Sequence, residues 1–167
     1  MGFSLLPDRV IGSIFNLNVK ALAEGGVRLL LADLDNTIVP YSVSEPTEQV
    51  FSWVNRLDQN GIRLFIISNN RSKTRIKQYC ARLGVPYVDH AGKPGTRSFL
   101  RAMEQMHVSP RQTAVIGDQI FTDVLGAKRA GLFVILVRPI DLSHPLRALR
   151  YQMERPVIAA AKRKMNR

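Results

Sequence analysis

Cysteine occurs once in these 167 residues, at Cys80, which excludes an internal disulfide and fits a reducing compartment. No apolar run approaches the ~18 residues that a membrane-crossing helix needs. The opening residues lack the basic start and long apolar stretch of a secretory signal. Met1-Gly2 begins like a myristoylation site, but Leu6 stands where Ser or Thr is wanted. His90, His107 and His144 show no metal-ligand spacing, which argues against a zinc site. Repeats and low-complexity tracts are absent. Acidic residues are scarce, 13 against 24 Lys and Arg, giving a net charge of +11 and a pI near 10.5. That excess predicts an anionic partner: nucleic acid, a membrane surface or a phosphorylated substrate. Plain solubility is the alternative reading. The expectation is an intracellular, cytoplasmic protein with one domain over 1–167.

What the chain does have is a regular alternation of apolar runs and helical patterns. VRLLLAD (27–33), IRLFIIS (62–68), PYVDH (86–90), TAVIGD (113–118) and LFVILVR (132–138) read as five strands. Between them, Pro46 opens a helix to about Gln59, with Val50, Phe51, Val54 and Leu57 on one face, ended by Asn60-Gly61. Further helices are expected over Ser72–Leu83, Thr96–His107 and Asp123–Ala130. Continuous apolar strands separated by helices indicate an α/β fold with a doubly wound, five-stranded parallel sheet covered on both faces. The core is expected over about 27–138, with a lead-in helix in 1–26 and a basic C-terminal extension over 139–167.

In such a sheet, ligands bind outside the carboxyl ends of the strands. The first strand ends in Asp33-Leu34-Asp35-Asn36-Thr37, the second in Ser68-Asn69-Asn70 and the fourth in Gly117-Asp118, with Asp123 five residues on; Lys93-Pro94 follows the third. Two carboxylates one residue apart at the end of a buried strand repel each other and cost desolvation, so a cation, a phosphoryl group or both is expected there. An aspartate can attack phosphorus and form an aspartyl-phosphate. Asp33 and Asp118 could supply carboxylates to Mg²⁺, which prefers oxygen ligands. Lys93 would offset the negative charge, while Ser68 and Thr37 can hydrogen-bond phosphoryl oxygens. Asp35 can protonate the leaving group and then activate water.

DLDNT, SNN, KP and GDQIFTD, in that order, resemble the four motifs of the haloacid dehalogenase superfamily, over roughly residues 27–138. The resemblance implies a Rossmann-like phosphatase fold with Asp33 as nucleophile and Asp35 as general acid and base. Thr37, Ser68, Asn69 and Lys93 would form the phosphate-binding set. Asp33, Asp118, Asp123 and the backbone carbonyl of Asp35 would be Mg²⁺ ligands, with Asp123 either a ligand or an orienting group. More narrowly, LLPDRVIGSIFNLNVKALAEGGVRLLLADLDNT, KPGTRSF and VIGDQIFTDVLGAKRAG are similar to the YqeG family of subfamily IIIA phosphatases, related to the phosphatidylglycerophosphate phosphatases. That likeness implies conversion of phosphatidylglycerophosphate to phosphatidylglycerol at the inner membrane surface. Ile38–Glu45 is too short for a cap domain, so an open site is expected. Two other readings stay open. One is a phosphatase acting on a nucleotide, a nucleic-acid end or a sugar phosphate. The other is a non-catalytic module binding RNA or ribosomes, although no stable nucleic-acid partner is expected.

In the tail, Leu142, Leu146, Leu149 and Met153 recur at helical spacing, with Arg147 and Arg150 off that stripe. Pro156 is expected to interrupt the helix, and AKRKMNR closes the chain. The stripe either packs on the sheet or, with the basic cluster, makes peripheral contact with anionic lipid. Cys80 and Trp53 read as core or partly buried positions, Arg71 as a solvent-facing helix start, and His90 as a loop residue.

Overall fold

The computed structural model describes residues 4–166, so the Met1-Gly2 reading lies outside the described residues. Six strands form one all-parallel sheet: β1 (Arg9–Ile11), β2 (Leu29–Ala32), β3 (Arg63–Ile67), β4 (Tyr87–Val88), β5 (Thr113–Gly117) and β6 (Phe133–Val137). Their order is β1-β6-β5-β2-β3-β4. The chain therefore proceeds outward from β2 in one direction through β3 and β4, and in the other through β5 and β6. The reversal lies between β2 and β5, where a parallel α/β sheet opens a crevice. Register brings Ala32 beside both Ile66 and Ile116. The residues that follow these strands thus emerge at one level.

Side chains alternate across the sheet. Leu30, Ala32, Leu64, Ile66, Ala114 and Ile116 pack on one face, together with Trp53, Val54 and Leu57 of α2 (Glu48–Gln59) and Ile76, Tyr79 and Cys80 of α3 (Lys73–Leu83). The other face carries Leu29, Leu31, Phe65, Ile67, Val115 and Val134. It meets Phe99, Ala102 and Met103 of α4 (Arg97–Met106), Ala127 of α5 (Leu125–Arg129) and Ile158 of α6 (Pro145–Met165). Both faces being covered is why the strands lack a polar side. Each fully buried aliphatic or aromatic side chain contributes about 1.5–3 kcal/mol relative to exposure. Trp53 is wholly part of this core rather than partly buried.

Three expectations are corrected. The sheet has six strands rather than five, because Arg9–Ile11 pairs in parallel with β6 at the edge. The residues before β2 are not one lead-in helix: β1 is followed by a single 3₁₀ turn (Ile14–Asn16) and the short α1 (Val19–Glu24). Ser13 and Asn18 cap these two pieces and break them apart. Finally, α6 runs straight through Pro156. A helix-interior proline removes one donor and crowds the preceding turn. Here Tyr151 and Glu154 before it, and Val157, Ile158 and Ala161 after it, are buried or half-buried and hold both halves down.

Candidate active site

Asp33 follows β2 directly, and its N–H donates to the Ile116 carbonyl of β5 at 3.0 Å, so the crevice is pinned by sheet pairing up to the first carboxylate. Asp118 follows β5. Asp123 comes from a wide, π-type turn (Ile120–Val124) that swings its carboxyl back beneath the strand end. A Cβ on Gly117 would collide with that carboxyl, so only glycine lets Asp123 approach. Asp33, Asp118 and Asp123 each offer a carboxylate oxygen within 4.8 Å of the others, and all three are buried.

Lys93 is threaded between two of them. Its Nζ donates to Asp33 Oδ1 and Asp123 Oδ1, both at 2.6 Å, and to the Ile67 carbonyl at 2.9 Å. Asn69 clamps the lysine's backbone: Lys93 N donates to Asn69 Oδ1 at 2.9 Å, and Asn69 Nδ2 to the Lys93 carbonyl at 3.0 Å. Thr37 Oγ1 bridges Asp118 Oδ1 at 3.0 Å and Asp33 Oδ2 at 3.3 Å. Among the described residues, its hydroxyl thus serves the carboxylates. Asp35 is turned the other way, gripped by Arg75 through an ion pair and by Asn70 Nδ2 at 2.7 Å. Arg75 is fixed in turn by the carbonyls of Pro40 and Val43. The Ser68 hydroxyl accepts from Asn70 N at 3.1 Å and keeps its own proton to offer.

The electrostatics follow from burial. The Asp33 carboxyl is raised to about 7, first by desolvation, with Asp123 and Asp35 adding and Lys93 pulling it down. Asp118 is held well above its ordinary value by burial and then by Asp33 and Asp123, against the Thr37 hydrogen bond and the charge of Arg150. Burial opposes the Lys93 charge, but Asp123 and Asp33 outweigh it, so the ammonium persists above its usual range.

Asp118 Oδ2 is buried without a hydrogen-bond partner. An orphaned carboxylate oxygen beside two further carboxylates fits a hard divalent cation bound by oxygen, which is Mg²⁺ chemistry. The Asp35 side chain lies outside this cluster. Above it opens a cavity of about 510 Å³ walled by Asp33, Asp35, Ser68, Asn69 and Lys93, joined by Tyr41, Asn70, Gln119, Thr122 and Arg150.

Of the residues expected from the sequence, Asp33, Asp35, Thr37, Ser68, Asn69, Lys93, Asp118 and Asp123 all converge here. Sequence reasoning did not single out Tyr41, Arg75, Gln119 or Thr122. Gln119 and Thr122 lie inside the GDQIFTD motif and hydrogen-bond each other at 3.0 Å, which was a usable signal. Arg75 and Arg150 carried none, since their roles depend on where α3 and α6 dock. His90 and Arg71 are exposed and stand apart from the cavity wall.

The model of the haloacid dehalogenase-like hydrolases matches residues 9–131. The Bacillus subtilis protein named "Probable phosphatase YqeG" is 36% identical over 160 residues, covering 95% of this chain and 92% of that one. A Chlamydomonas reinhardtii protein, phosphatidylglycerophosphate phosphatase 1, chloroplastic, is 24% identical over 149 residues, 83% of this chain and 54% of that one. Among solved structures, the 3-deoxy-D-manno-octulosonate 8-phosphate phosphatase of Yersinia pestis superposes with a TM-score of 0.51 at 17% identity, over 89% of this chain and 88% of that one, a likeness of fold. With a family match across most of its length and a similar phosphatase along nearly all of it, this chain belongs to the haloacid dehalogenase-like hydrolases and is a phosphatase of that family.

Proposed function

We propose that the chain, acting as one domain, is a Mg²⁺-dependent phosphatase that works through an aspartyl-phosphate on Asp33 and removes the terminal phosphate of phosphatidylglycerophosphate. The observation that carries the chemistry is the Asp33 carboxylate at the reversal of the sheet, held by Lys93 and set beside Asp118 and Asp123. Asp33, Asp118 and Asp123, with the Asp35 carbonyl, would hold the ion, and Mg²⁺ bound there would neutralise phosphoryl oxygens and the crowded carboxylates.

The remaining work falls to side chains. An oxygen of Asp33 attacks phosphorus while the phosphate–alcohol bond breaks, and the leaving alkoxide takes a proton from Asp35. Asp35 then accepts a proton from water as that water attacks the aspartyl-phosphate, releasing inorganic phosphate and restoring Asp33. For this, Asp35 must loosen its hold on Arg75 or Asn70, both of which also fix its direction. The Ser68 hydroxyl, the Asn69 loop and Lys93 steady the phosphoryl oxygens. Thr37 keeps Asp33 and Asp118 at their spacing.

Two observations support the lipid. The similar Chlamydomonas protein is named for that substrate. The tail's apolar stripe does not pack on the sheet: Leu146, Leu149 and Met153 are 60–70% exposed on one face of α6. Leu142 lies before the helix begins. Arg155, Lys162, Arg163 and Lys164 of the same helix are also exposed, and each basic residue near an anionic bilayer adds about 1 kcal/mol of attraction. Among the described residues, no helix is long and apolar enough to cross a membrane, so contact would be peripheral.

The test is phosphate release with Mg²⁺ from phosphatidylglycerophosphate in mixed micelles against nucleotides, sugar phosphates and 5′-phosphorylated oligonucleotides. Asp33→Asn should abolish release and leave the thermal transition in place. Full activity in that variant sinks the mechanism, and preference for a soluble substrate removes the lipid.

A further inference from the structure

Among the described residues, Lys93 and Arg150 line the cavity while Arg75 and Arg147 hold Asp35 and Tyr41 of its wall, and all but Arg150 are committed. Lys93 is saturated by Asp33, Asp123 and the Ile67 carbonyl. Arg75 is taken by Asp35 and two carbonyls. Arg147 pairs with Asp141 at 3.1 Å and lies 3.9 Å over the ring of Tyr41. Arg150 is different. It lines the cavity from α6, yet its guanidinium forms no hydrogen bond or close ion pair among the described residues, and its buried Nε has no partner. Its charge is felt by Asp118 and by Glu154 one turn on, but neither carboxylate engages it directly.

Two further facts frame it. The segment before α6 is fastened to the first catalytic loop: Asn36 and Asp141 exchange side-chain-to-backbone hydrogen bonds at 2.8 and 2.7 Å, and Ile140 N donates to the Asn36 carbonyl at 3.1 Å. Arg150 is therefore carried by a helix anchored to the site. The cavity, about 510 Å³, is of the size that takes a whole small ligand rather than a lone phosphoryl group. A planar guanidinium matches a carboxylate or phosphate with two parallel hydrogen bonds.

We infer that Arg150 is a specificity-determining residue that binds a second oxyanion of the substrate, a phosphodiester or a carboxylate, separate from the phosphoryl group attacked by Asp33. This rests on the phosphatase reading of the site and narrows its substrate to phosphomonoesters that carry another anionic group. The guanidinium offers its uncommitted N–H groups to that anion, and its buried Nε gains the acceptor it lacks.

Arg150→Met and Arg150→Lys would be compared with wild type on three substrates with Mg²⁺. Phosphatidylglycerophosphate carries a phosphodiester, 3-phosphoglycerate carries a carboxylate, and glycerol 3-phosphate has no second anion. The ratio of kcat/KM between a two-anion substrate and glycerol 3-phosphate should fall about tenfold to a hundredfold in Arg150→Met, mainly through KM. Arg150→Lys, which keeps the charge beside Asp118 and Glu154, should restore part of it. The two-anion substrate with the larger loss identifies the source of the anion. A ratio unchanged within about twofold overturns the inference, since a merely structural arginine would lower all three alike.

A binding arm judges Arg150 without turnover. In an Asp33→Asn background, 3-phosphoglycerate should bind at least about tenfold more tightly than glycerol 3-phosphate by calorimetry, and Arg150→Met should erase the difference. Equal binding with Arg150 present overturns the subsite. Absence of phosphate release by wild type would count against the phosphatase reading, while the binding arm still decides the arginine.

Discussion

Replacing Lys93 with methionine keeps a stem of similar length and removes the ammonium. The consequence follows from where that ammonium sits, 2.6 Å from two buried carboxylates on a residue only 7% exposed. Removing one partner of a buried ion pair leaves uncompensated charge and costs about 3–5 kcal/mol. The cost should depend on pH in a definite direction. Asp33 is raised to about 7 in the folded protein, chiefly by burial, from 3.8. The folded state therefore holds the proton more tightly than the unfolded chain. Stability from this group is full below about pH 4 and is lost as pH climbs through about 7, at ~1.4 kcal/mol per unit. Lys93 pulls that carboxyl down, so without it the carboxyl rises further and the loss extends over a wider window. At about pH 5 a protonated Asp33 has little charge to miss the lysine, whereas at about pH 7.5 the variant must either bury that carboxylate unpaired or take up a proton to fold. Urea unfolding in EDTA at both values should show Lys93→Met losing about 3–5 kcal/mol at the higher pH and clearly less at the lower. A loss under about 1 kcal/mol at pH 7.5, or equal losses at both values with unchanged m, would refute the reasoning.

Two more outcomes follow from the same geometry. Divalent binding requires Asp33 and Asp118 ionised, and both are raised, so Mg²⁺ must expel protons. Its stabilisation, about 2.7 kcal/mol at a hundredfold excess over Kd, should therefore be larger at about pH 7.5 than at about pH 5.5. Equal thermal shifts at fixed Mg²⁺ would contradict this. Gly117→Ala pushes a methyl into the Asp123 carboxyl. It should cost about 1–3 kcal/mol in chemical denaturation and, by moving Asp123 off Lys93, lower phosphate release by up to ~100-fold; unchanged activity would mean that Asp123 has no need of its position.

The candidate site was legible in the sequence because three of its groups end apolar runs and the others follow within a few residues. Asp33, Ser68 and Asp118 follow three strands long enough to be buried on both faces, and chain order places them together. Partner choice was less legible. Thr37 and Asn69 read as phosphate-binding residues; the sequence did not show that the hydroxyl of Thr37 also bridges two carboxylates or that Asn69 also clamps a backbone. A motif gives a residue's address, but distances of a few tenths of an ångström decide what it bonds. β1 was missed because three residues carry no periodicity, and its pairing with β6 is 126 residues away in sequence, from Arg9 to Ile135. Pro156 misled because local propensity ends a helix that tertiary packing continues. The fate of the leucine stripe was not readable at all: helical spacing predicts an apolar face, not what covers it.

The charges of the site explain why these parts occur together. Asp33, Asp35, Asp118 and Asp123 face Lys93 and Arg75, the two cations that pair with them, so full ionisation leaves two negative charges in excess. A phosphate monoester, itself anionic, is repelled by that excess. Protons can relieve it, and the Asp33 and Asp118 carboxyls are raised, chiefly by burial and then by neighbouring carboxylates, but a protonated Asp33 could not serve as the proposed nucleophile. A divalent cation would remove the same two charges and leave Asp33 ionised for the proposed attack. On the proposed mechanism, burial thus makes the ion a condition of reactivity as well as of binding, because without it the site would neutralise itself on the attacking carboxylate. Arg150 lies outside this balance, bonded to none of the four carboxylates. Its charge is therefore not consumed in balancing the four carboxylates, which is why we assign it to the part of the substrate that the proposed chemistry leaves unchanged.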